Sequence, residues 1–160
     1  MDGINLFIPE QWEEYKKIRL LSLKNESKAF GSSYEQELNF SDQRWKERLL
    51  DKNSLTLYCY EEDVIVGTAR SKITNDRADI IGVYISPNSR GKGLSKKMLI
   101  FLIQKLTNLN VNTFYLSVNK LQIPAINLYL KIGFKIIGEE KTKMGDGIIY
   151  DEYLMEYKLI

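Results

Sequence analysis

Hydrophobic residues recur along the chain with two different periods, and the changes of period separate helices from strands. Alternation with a period of two predicts strands, whereas apolar residues spaced three and four apart predict helices. Strands are predicted over residues 4–8, 55–60, 64–73, 78–85, 113–118, 134–140 and 148–159. Helices are predicted over residues 10–25, from the N-cap Ser41 onward, over 94–106 and over 124–132.

The resulting order of elements, β-α-α-β-β-β-α-β-α-β-β, predicts an α+β fold built on a mixed sheet. Residues 94–106 are apolar on most sides, so this helix is expected to be largely buried. A length of 160 residues suits a single domain, 1–160, with one core.

Composition narrows the chemistry that this chain can perform. It contains no histidine and one cysteine, so Ser-His-Asp triads, Cys-His pairs, zinc sites built on histidine and internal disulfides are excluded. We expect Cys59 to be a small core residue, and an enzyme of this composition to use carboxylates, hydroxyls, amines or backbone amides. The net charge of +2 gives no nucleic-acid footprint. With no signal peptide or membrane-length apolar run in view, a cytoplasmic location without a membrane partner is expected.

The segment Arg90-Gly91-Lys92-Gly93-Leu94-Ser95 lies between a predicted strand and a predicted helix. Two glycines let the backbone approach a ligand closely, and the free amides of a helix N-terminus attract anions. A plain glycine turn is the alternative interpretation. The Walker and Rossmann patterns do not match, because Leu94 follows the second glycine and a third glycine is missing.

A second motif follows at a distance, Leu128-Tyr129-Leu130-Lys131-Ile132-Gly133-Phe134. Together with the glycine segment and with Val83-Tyr84-Ile85-Ser86-Pro87 before it, the chain resembles the GNAT superfamily of N-acetyltransferases, as a bacterial single-domain member. The resemblance implies a splayed central sheet, acetyl-coenzyme A as co-substrate, no metal, and acetyl transfer to the amine of a small molecule or protein. A non-catalytic coenzyme A sensor on the same fold is the alternative, and a homodimer is left open.

The resemblance also implies which residues bind the cofactor. The backbone of Val83 and Ile85 would bind the pantetheine arm, and the pyrophosphate would contact amides of residues 91–96, namely Gly91, Lys92, Gly93, Leu94, Ser95 and Lys96. The Arg90 and Lys92 side chains are predicted either to add charge at the phosphates or to be plain surface cations. Gln122 stands where many members have an asparagine, a contact that Asn119 or Asn127 would then supply.

For catalysis, the resemblance implies that Tyr129 protonates the departing thiolate, against the alternative of a plain core tyrosine. Asp79, on the predicted strand 78–85, matches a glutamate base of histone-type members; the alternatives are a rim residue and a water-mediated base. By the period of two, Asp79 should share a face with Ile81, Val83 and Ile85. The acceptor site is expected at Phe30, Ser32, Tyr34 and Glu35, and more weakly at Tyr150 and Tyr153.

Overall fold

The computed structural model describes residues 2–159, which form a mixed sheet with helices on both faces. The strands are β1 (Gly3–Leu6), β2 (Ser54–Glu61), β3 (Val64–Thr74), β4 (Arg77–Ile85), β5 (Thr113–Asn119), β6 (Lys135–Lys143) and β7 (Ile149–Lys158). The helices are α1 (Trp12–Asn25), α2 (Tyr34–Leu38), α3 (Asp42–Leu50), α4 (Leu94–Asn108) and α5 (Ile123–Ile132). The predicted order of elements is confirmed, with α2 as an addition.

Helix α2 forms inside the segment that was expected to be part of a loop. Ser33 caps it, because its hydroxyl accepts the backbone N–H of Gln36 at 3.1 Å. This helix carries Tyr34 and Glu35 in its first turn. The remaining connection, residues 26–33, is called the α1–α2 loop below.

The sheet splays apart between β4 and β5. The strand order is β1-β2-β3-β4-β5-β7-β6, and β4 and β5 are its parallel neighbours. They pair only over residues 77–79 of β4 and 113–115 of β5, after which β5 continues to pair with β7 alone. The remainder of β4, from Ile80 to Ile85, therefore leaves its backbone edge toward β5 without a strand partner.

A bulge at Gly82 changes which side chains share a face of β4. Gly82 has a φ of 62°. Thr68 of β3 pairs with Tyr84, and Arg70 pairs with Ile81, so two steps along β3 correspond to three steps along β4. Asp79 consequently shares a face with Ile81, but Val83 and Ile85 pack on the opposite face with the α4 core. The expectation of one common face for all four was wrong, since a bulge inserts a residue and breaks the period of two.

The two faces of the sheet carry two apolar cores. Helices α4 and α5 cover one face, where α4 buries Met98, Leu99, Leu102, Ile103 and Leu106. Helices α1 and α3 cover the other face, with a cluster of Phe7, Tyr15, Ile18, Trp45 and Tyr84. Both helical layers end near the splay, so the gap between β4 and β5 opens into cavities.

Candidate active site

The glycine segment adopts the conformation that its sequence requires. Gly91 and Gly93 have φ values of 80° and 78°, in the left-handed region that side chains disfavour. A Cβ atom at either position would meet nothing within 4 Å, so the glycines serve backbone conformation and leave open space beside them. Gly93 caps α4, whose first-turn amides at Leu94, Ser95 and Lys96 have no partners inside the helix. This arrangement fits an anionic phosphate group.

A first cavity of about 340 Å³ runs from this glycine segment to the splay. Its walls come from the α1–α2 loop, the end of β4, the start of α4 and the buried side of α5. Of the predicted cofactor residues, the lining includes Val83, Ile85, Arg90, Gly91, Gly93, Leu94, Ser95 and Lys96. Lys92 is outside that lining, and its Nζ lies 3.1 Å from the carboxylate of Glu61.

A second cavity of about 260 Å³ lies on the other side of the same splay. It is walled by α1, the α1–α2 loop, β4, β5 and the β6–β7 hairpin. The two cavities share six lining residues, which are Ala29, Phe30, Val83, Gln122, Ala125 and Tyr129. Two ligands, one in each cavity, would therefore meet beside these residues.

Tyr129 lies at this junction. Helix α5 carries it on the face that packs toward the sheet, where 7% of the residue is exposed. Its ring meets Phe134 edge-on, with the ring centroids 6.0 Å apart. Burial raises the pKa of the Tyr129 phenol to about 12. The hydroxyl is therefore protonated at neutral pH and is able to donate a proton or a hydrogen bond.

Arg90 lines the first cavity, but its guanidinium is bound to protein groups. Its Nε donates to the carbonyl oxygen of Ile85 at 2.9 Å, and its Nη2 donates to the carboxylate of Glu26 at 2.6 Å. Arg90 thus connects the glycine segment to the end of β4 and to the α1–α2 loop.

The structure does not bring Asp79 to either cavity. Asp79 is exposed and stands opposite Tyr115 in the last β4–β5 pair before the strands separate. The residues that line the cavities begin one position later, at Ile80, and continue toward the phosphate end. Because β4 rises about 3.3 Å per residue, a side chain at position 79 is well removed from Val83.

The three polar candidates near α5 differ in their surroundings. Asn127 points away from the sheet and is exposed, since Ile126 and Tyr129 occupy the buried stripe of the helix. Asn119 lines the second cavity, but its amide donates to the Lys28 carbonyl oxygen at 2.9 Å and its Oδ1 accepts from the Leu121 amide. Gln122 lines both cavities. Of the three, the structure brings only Gln122 to the junction.

A buried carboxylate that the motifs did not single out, Glu152, lines the second cavity. Glu152 belongs to β7, is 6% exposed, and pairs with Asn119 of β5 on one side and Glu140 of β6 on the other. Burial raises its pKa, the Glu140 charge adds to that effect, and a hydrogen bond with Thr142 opposes it. The sequence signal for this residue was the alternation of the closing strand, which places Glu152 and Leu154 on one face.

The predicted acceptor residues separate into two groups. Phe30 lines both cavities. Ser32, Tyr34 and Glu35 lie outside both linings; Ser32 is near the Glu37 carboxylate, and the other two belong to α2. Tyr150 donates to Asp146 at 2.6 Å and Tyr153 lies under Lys120, and neither lines a cavity.

An ion cluster of Arg19, Glu37 and Arg48 connects α2 to α1 and α3 beside the α1–α2 loop. The Glu37 carboxylate, 1% exposed, accepts from Arg19 Nε and Nη2 at 3.1 and 2.9 Å and from Arg48 at 2.8 Å. Burial by itself would raise the pKa of Glu37, but the bonds and charges of the two arginines, with Ser32, lower it to about 2. The Arg19 guanidinium also lies 5.2 Å from the Phe30 ring centre, so the cluster positions Phe30.

The α1–α2 loop also contacts the turn between β6 and β7. The amide of Gly145, in the β6–β7 turn, donates to the Phe30 carbonyl oxygen at 2.8 Å. A Cβ at position 145 would overlap the Ser32 carbonyl oxygen, so the contact requires glycine. The loop and the hairpin therefore close together over the second cavity.

Cys59 takes no part in the site. It is fully buried in the core of the α4 face, and burial raises the pKa of its thiol to about 11. The expectation of a structural cysteine agrees with this position.

Comparison with known proteins supports the family that the motifs indicate. Residues 15–134 match the family described as the Acetyltransferase (GNAT) family. The chain belongs to this family. It also resembles the spermine/spermidine N(1)-acetyltransferase of Bacillus subtilis (strain 168), with 42% identity over 66 residues, 41% of this chain and 43% of the relative. The GNAT chain thus spans less than half the length of that curated relative.

Solved structures match the GNAT fold over nearly the whole chain. The acetyltransferase of GNAT family from Streptococcus pneumoniae superposes with a TM-score of 0.82 at 19% identity, covering 99% of this chain and 100% of the other. The PaiA N-acetyltransferase from Thermoplasma acidophilum, solved in complex with coenzyme A, has a TM-score of 0.76 at 17% identity, with 99% of both chains covered. At these identities the likeness concerns the fold.

The described part of the GNAT chain offers neither a metal-binding cluster nor a membrane-spanning helix. Within residues 2–159, no group of three or more cysteine, aspartate or glutamate side chains is placed to hold a metal ion. None of the helices in that range is both long and apolar enough to cross a membrane.

Proposed function

We propose that this protein transfers the acetyl group of acetyl-coenzyme A to a primary amine by direct attack of the amine. The observation that carries the proposal is the position of Tyr129, a buried and protonated phenol in the wall shared by the two cavities. A general acid is needed where the thiolate departs, and Tyr129 is the side chain at the junction with a proton to give.

The first cavity suits acetyl-coenzyme A. The amides of Gly91 to Lys96 would bind its pyrophosphate, and the unpaired edge of β4 at Val83 and Ile85 would bind the pantetheine arm as a further strand. When bound there, the cofactor supplies an activated acetyl group as a thioester. The family membership and the coenzyme A complex of the Thermoplasma relative support this assignment.

The residues of this chain would then perform three tasks. Backbone amides of β4 near Val83 would stabilise negative charge on the reacting carbonyl oxygen. Tyr129 would donate its proton to the leaving sulfur. The second cavity would hold the amine and, together with the α1–α2 loop, would limit the access of water.

The relatives favour an amine acceptor over a sensor function. The matched Bacillus relative is named for acetylation of spermine and spermidine, so polyamines are the first acceptors to test. A coenzyme A sensor would need the first cavity but would have no use for a protonated phenol at the junction or for a second cavity.

The decisive variant is Tyr129→Phe, which removes the proton and keeps the ring. We expect kcat to fall by about 100-fold or more, the usual contribution of a general acid, while the Kd for coenzyme A is unchanged. Tyr115→Phe, a half-buried strand tyrosine outside both cavities, is the matched control. Acetyl transfer would be followed through the released thiol, with spermidine as acceptor. Undiminished transfer by Tyr129→Phe would refute the role of the acid, and binding of acetyl-coenzyme A without any transfer would favour the sensor.

A further inference from the structure

The lining of the second cavity includes a buried carboxylate, Glu152, which the motifs of the family did not indicate. Resting on the proposed function, we propose that Glu152 binds the ammonium group of the acceptor and accepts its proton, and that the acceptor is a flexible di- or polyamine. Glu152, which lines the second cavity, takes the place of Asp79 as the candidate base.

Burial and position together single out Glu152. Its residue is 6% exposed, yet it lines a cavity whose wall also contains Tyr129. A carboxylate is rarely buried without a partner of opposite charge, because removing the ion from water is costly. None of the ion pairs found between residues 2 and 159 includes Glu152. A ligand ammonium in the cavity would supply the missing positive charge.

The neighbouring charges strengthen the preference for a cation. Glu140 lies directly opposite Glu152 on β6, and two like charges in this arrangement repel each other when no cation lies between them. The guanidinium of the second cavity, Arg19, is engaged by both oxygens of Glu37, so it serves mainly as a wall. Burial, together with repulsion from Glu140, raises the pKa of Glu152, which makes its carboxylate a stronger base.

The remaining walls of the second cavity fit the carbon chain of an acceptor whose ammonium group is bound at Glu152. Apolar side chains line the cavity on several sides, among them Phe30, Ile81, Leu116, Val118 and Met144. These apolar side chains accept methylene groups, while Ser117, Asn119, Gln122 and Thr142 add polar groups to the same lining. Glu140, exposed and directly opposite Glu152, adds a second carboxylate beside the buried one. Two adjacent carboxylates beside apolar walls favour an acceptor that carries more than one positive charge on a chain of methylenes.

The proton balance of the reaction is complete with two protein groups. The acceptor ammonium gives one proton to the Glu152 carboxylate and becomes a free amine. The amine nitrogen forms a bond to the acetyl carbon, the carbon–sulfur bond breaks, and Tyr129 protonates the sulfur. The new amide nitrogen loses its extra proton, which restores the Tyr129 phenol, and Glu152 releases its proton to solvent after the product leaves.

The test compares Glu152→Gln and Glu152→Asp with the wild-type chain. Glutamine keeps the shape and the hydrogen bond of Glu152 but cannot accept a proton, whereas aspartate keeps the charge on a shorter arm. Glu156→Gln is the matched control, because Glu156 lies on the same face of β7, four residues further, outside both cavities. Probes are spermidine, cadaverine and, as an acidic amine, glutamate, each with acetyl-coenzyme A.

We expect wild type to prefer spermidine and cadaverine over glutamate by about 100-fold in kcat/KM, equivalent to about 2.7 kcal/mol of charge selectivity. Glu152→Gln should lower kcat/KM for spermidine by about 100-fold or more, with partial rescue by Glu152→Asp and little change in Glu156→Gln. Calorimetry with coenzyme A provides the fold check, since an intact first cavity keeps its Kd. Calorimetry with spermidine on the coenzyme A complex should show weaker binding to Glu152→Gln.

Different failures have different signatures. Wild type that acetylates glutamate but neither spermidine nor cadaverine overturns the polyamine assignment, whereas binding of acetyl-coenzyme A without transfer to any of the three amines favours the sensor and overturns the proposed function. Equal kcat/KM for Glu152→Gln and wild type overturns the role of Glu152 and leaves the proposed function intact. If the wild-type chain does not bind coenzyme A, both the proposed function and the role of Glu152 are overturned.

Discussion

Arg90 and Glu26 connect the two halves of the site through one ion pair. Arg90 Nη2 lies 2.6 Å from Glu26 Oε1, and Arg90 Nε donates at the same time to the Ile85 carbonyl oxygen. The pair joins the glycine segment, which suits the phosphates, to the α1–α2 loop, which covers the second cavity. We therefore expect Arg90 to affect coenzyme A binding through the geometry of the loop, in addition to its charge.

Arg90→Lys tests this bracing role. Lysine keeps the positive charge but cannot donate to Ile85 and Glu26 through a fixed fork. We expect the Kd for coenzyme A to rise by about three- to tenfold, which corresponds to the usual net contribution of one hydrogen bond, and Arg90→Ala to behave similarly. Calorimetry provides the measurement. A wild-type Kd in Arg90→Lys with a weakened Arg90→Ala would show that charge alone matters.

The raised pKa of Tyr129 predicts the alkaline limb of the pH profile. The acid function needs the protonated phenol, and burial moves the pKa from the ordinary value of 10.0 to about 12. Ionisation of Tyr129 therefore begins later than for an exposed tyrosine, and kcat should not fall on this account below about pH 11. Initial rates at saturating substrates, measured from pH 7 to 10.5, check this. A decline in kcat with an apparent pKa near 10 that is absent in Tyr129→Phe would contradict it.

Glu37 predicts a dependence of stability on acid pH. Its folded pKa of about 2 lies below the ordinary 4.5, so its stabilising effect is fully present above the ordinary pKa and is lost as pH falls toward 2. Glu37→Gln leaves two guanidiniums without their anion, at a cost of about 3 kcal/mol at pH 7. Urea unfolding from pH 7 to 3 should show this difference shrinking below about pH 4.5. Glu35→Gln, exposed on the same helix, should show almost none, and a constant difference for Glu37→Gln would contradict the assignment.

Gly82→Ala tests the β4 bulge. Alanine is strained at a φ of 62°, and its Cβ would lie 3.1 Å from Arg19 Nη1. We expect a loss of about 1–2 kcal/mol in the free energy of unfolding. Gly31→Ala is the control, since a Cβ there meets nothing within 4 Å and its φ is not in the left-handed region. Equal stability of the two variants would show that the bulge tolerates a side chain.

The buried Cys59 thiol is expected to add almost no signal to assays that measure released thiol. Its thiol is fully buried with a pKa of about 11, so the native chain should react very slowly with dithionitrobenzoate at about pH 8. The same chain in urea should react with one equivalent, since it has one cysteine. Rapid reaction of the native protein would place Cys59 at an accessible position.

Local patterns predicted the elements well because each one is decided by its own residues. The glycines at positions 91 and 93 adopt left-handed dihedrals that a chain of other residues would resist, and Ser41 caps α3 by accepting the Arg44 amide. Helix α2 was missed, although Ser33 and Gln36 carry the capping pair, because a helix of five residues has almost no hydrophobic period.

The candidate site was predicted in part, and the misses have a common cause. Asp79 was placed by counting along β4, but the strands separate after position 79 and the bulge at Gly82 reverses the faces beyond it. Arg90 was assigned by its place in the motif, whereas its partner Glu26 is 64 residues away. Glu152 has no motif at all.

Residues that are neighbours in the chain were sufficient to predict the element order, the glycine segment as a candidate phosphate site and Tyr129 as the candidate acid. The absence of histidine likewise limited a base to a carboxylate or water. Only the tertiary structure decided which carboxylate faces the second cavity. Glu152 pairs with Asn119 and Glu140 and lines the same cavity as Tyr129. These three neighbours belong to three separate elements, so their proximity depends on packing between elements distant in sequence.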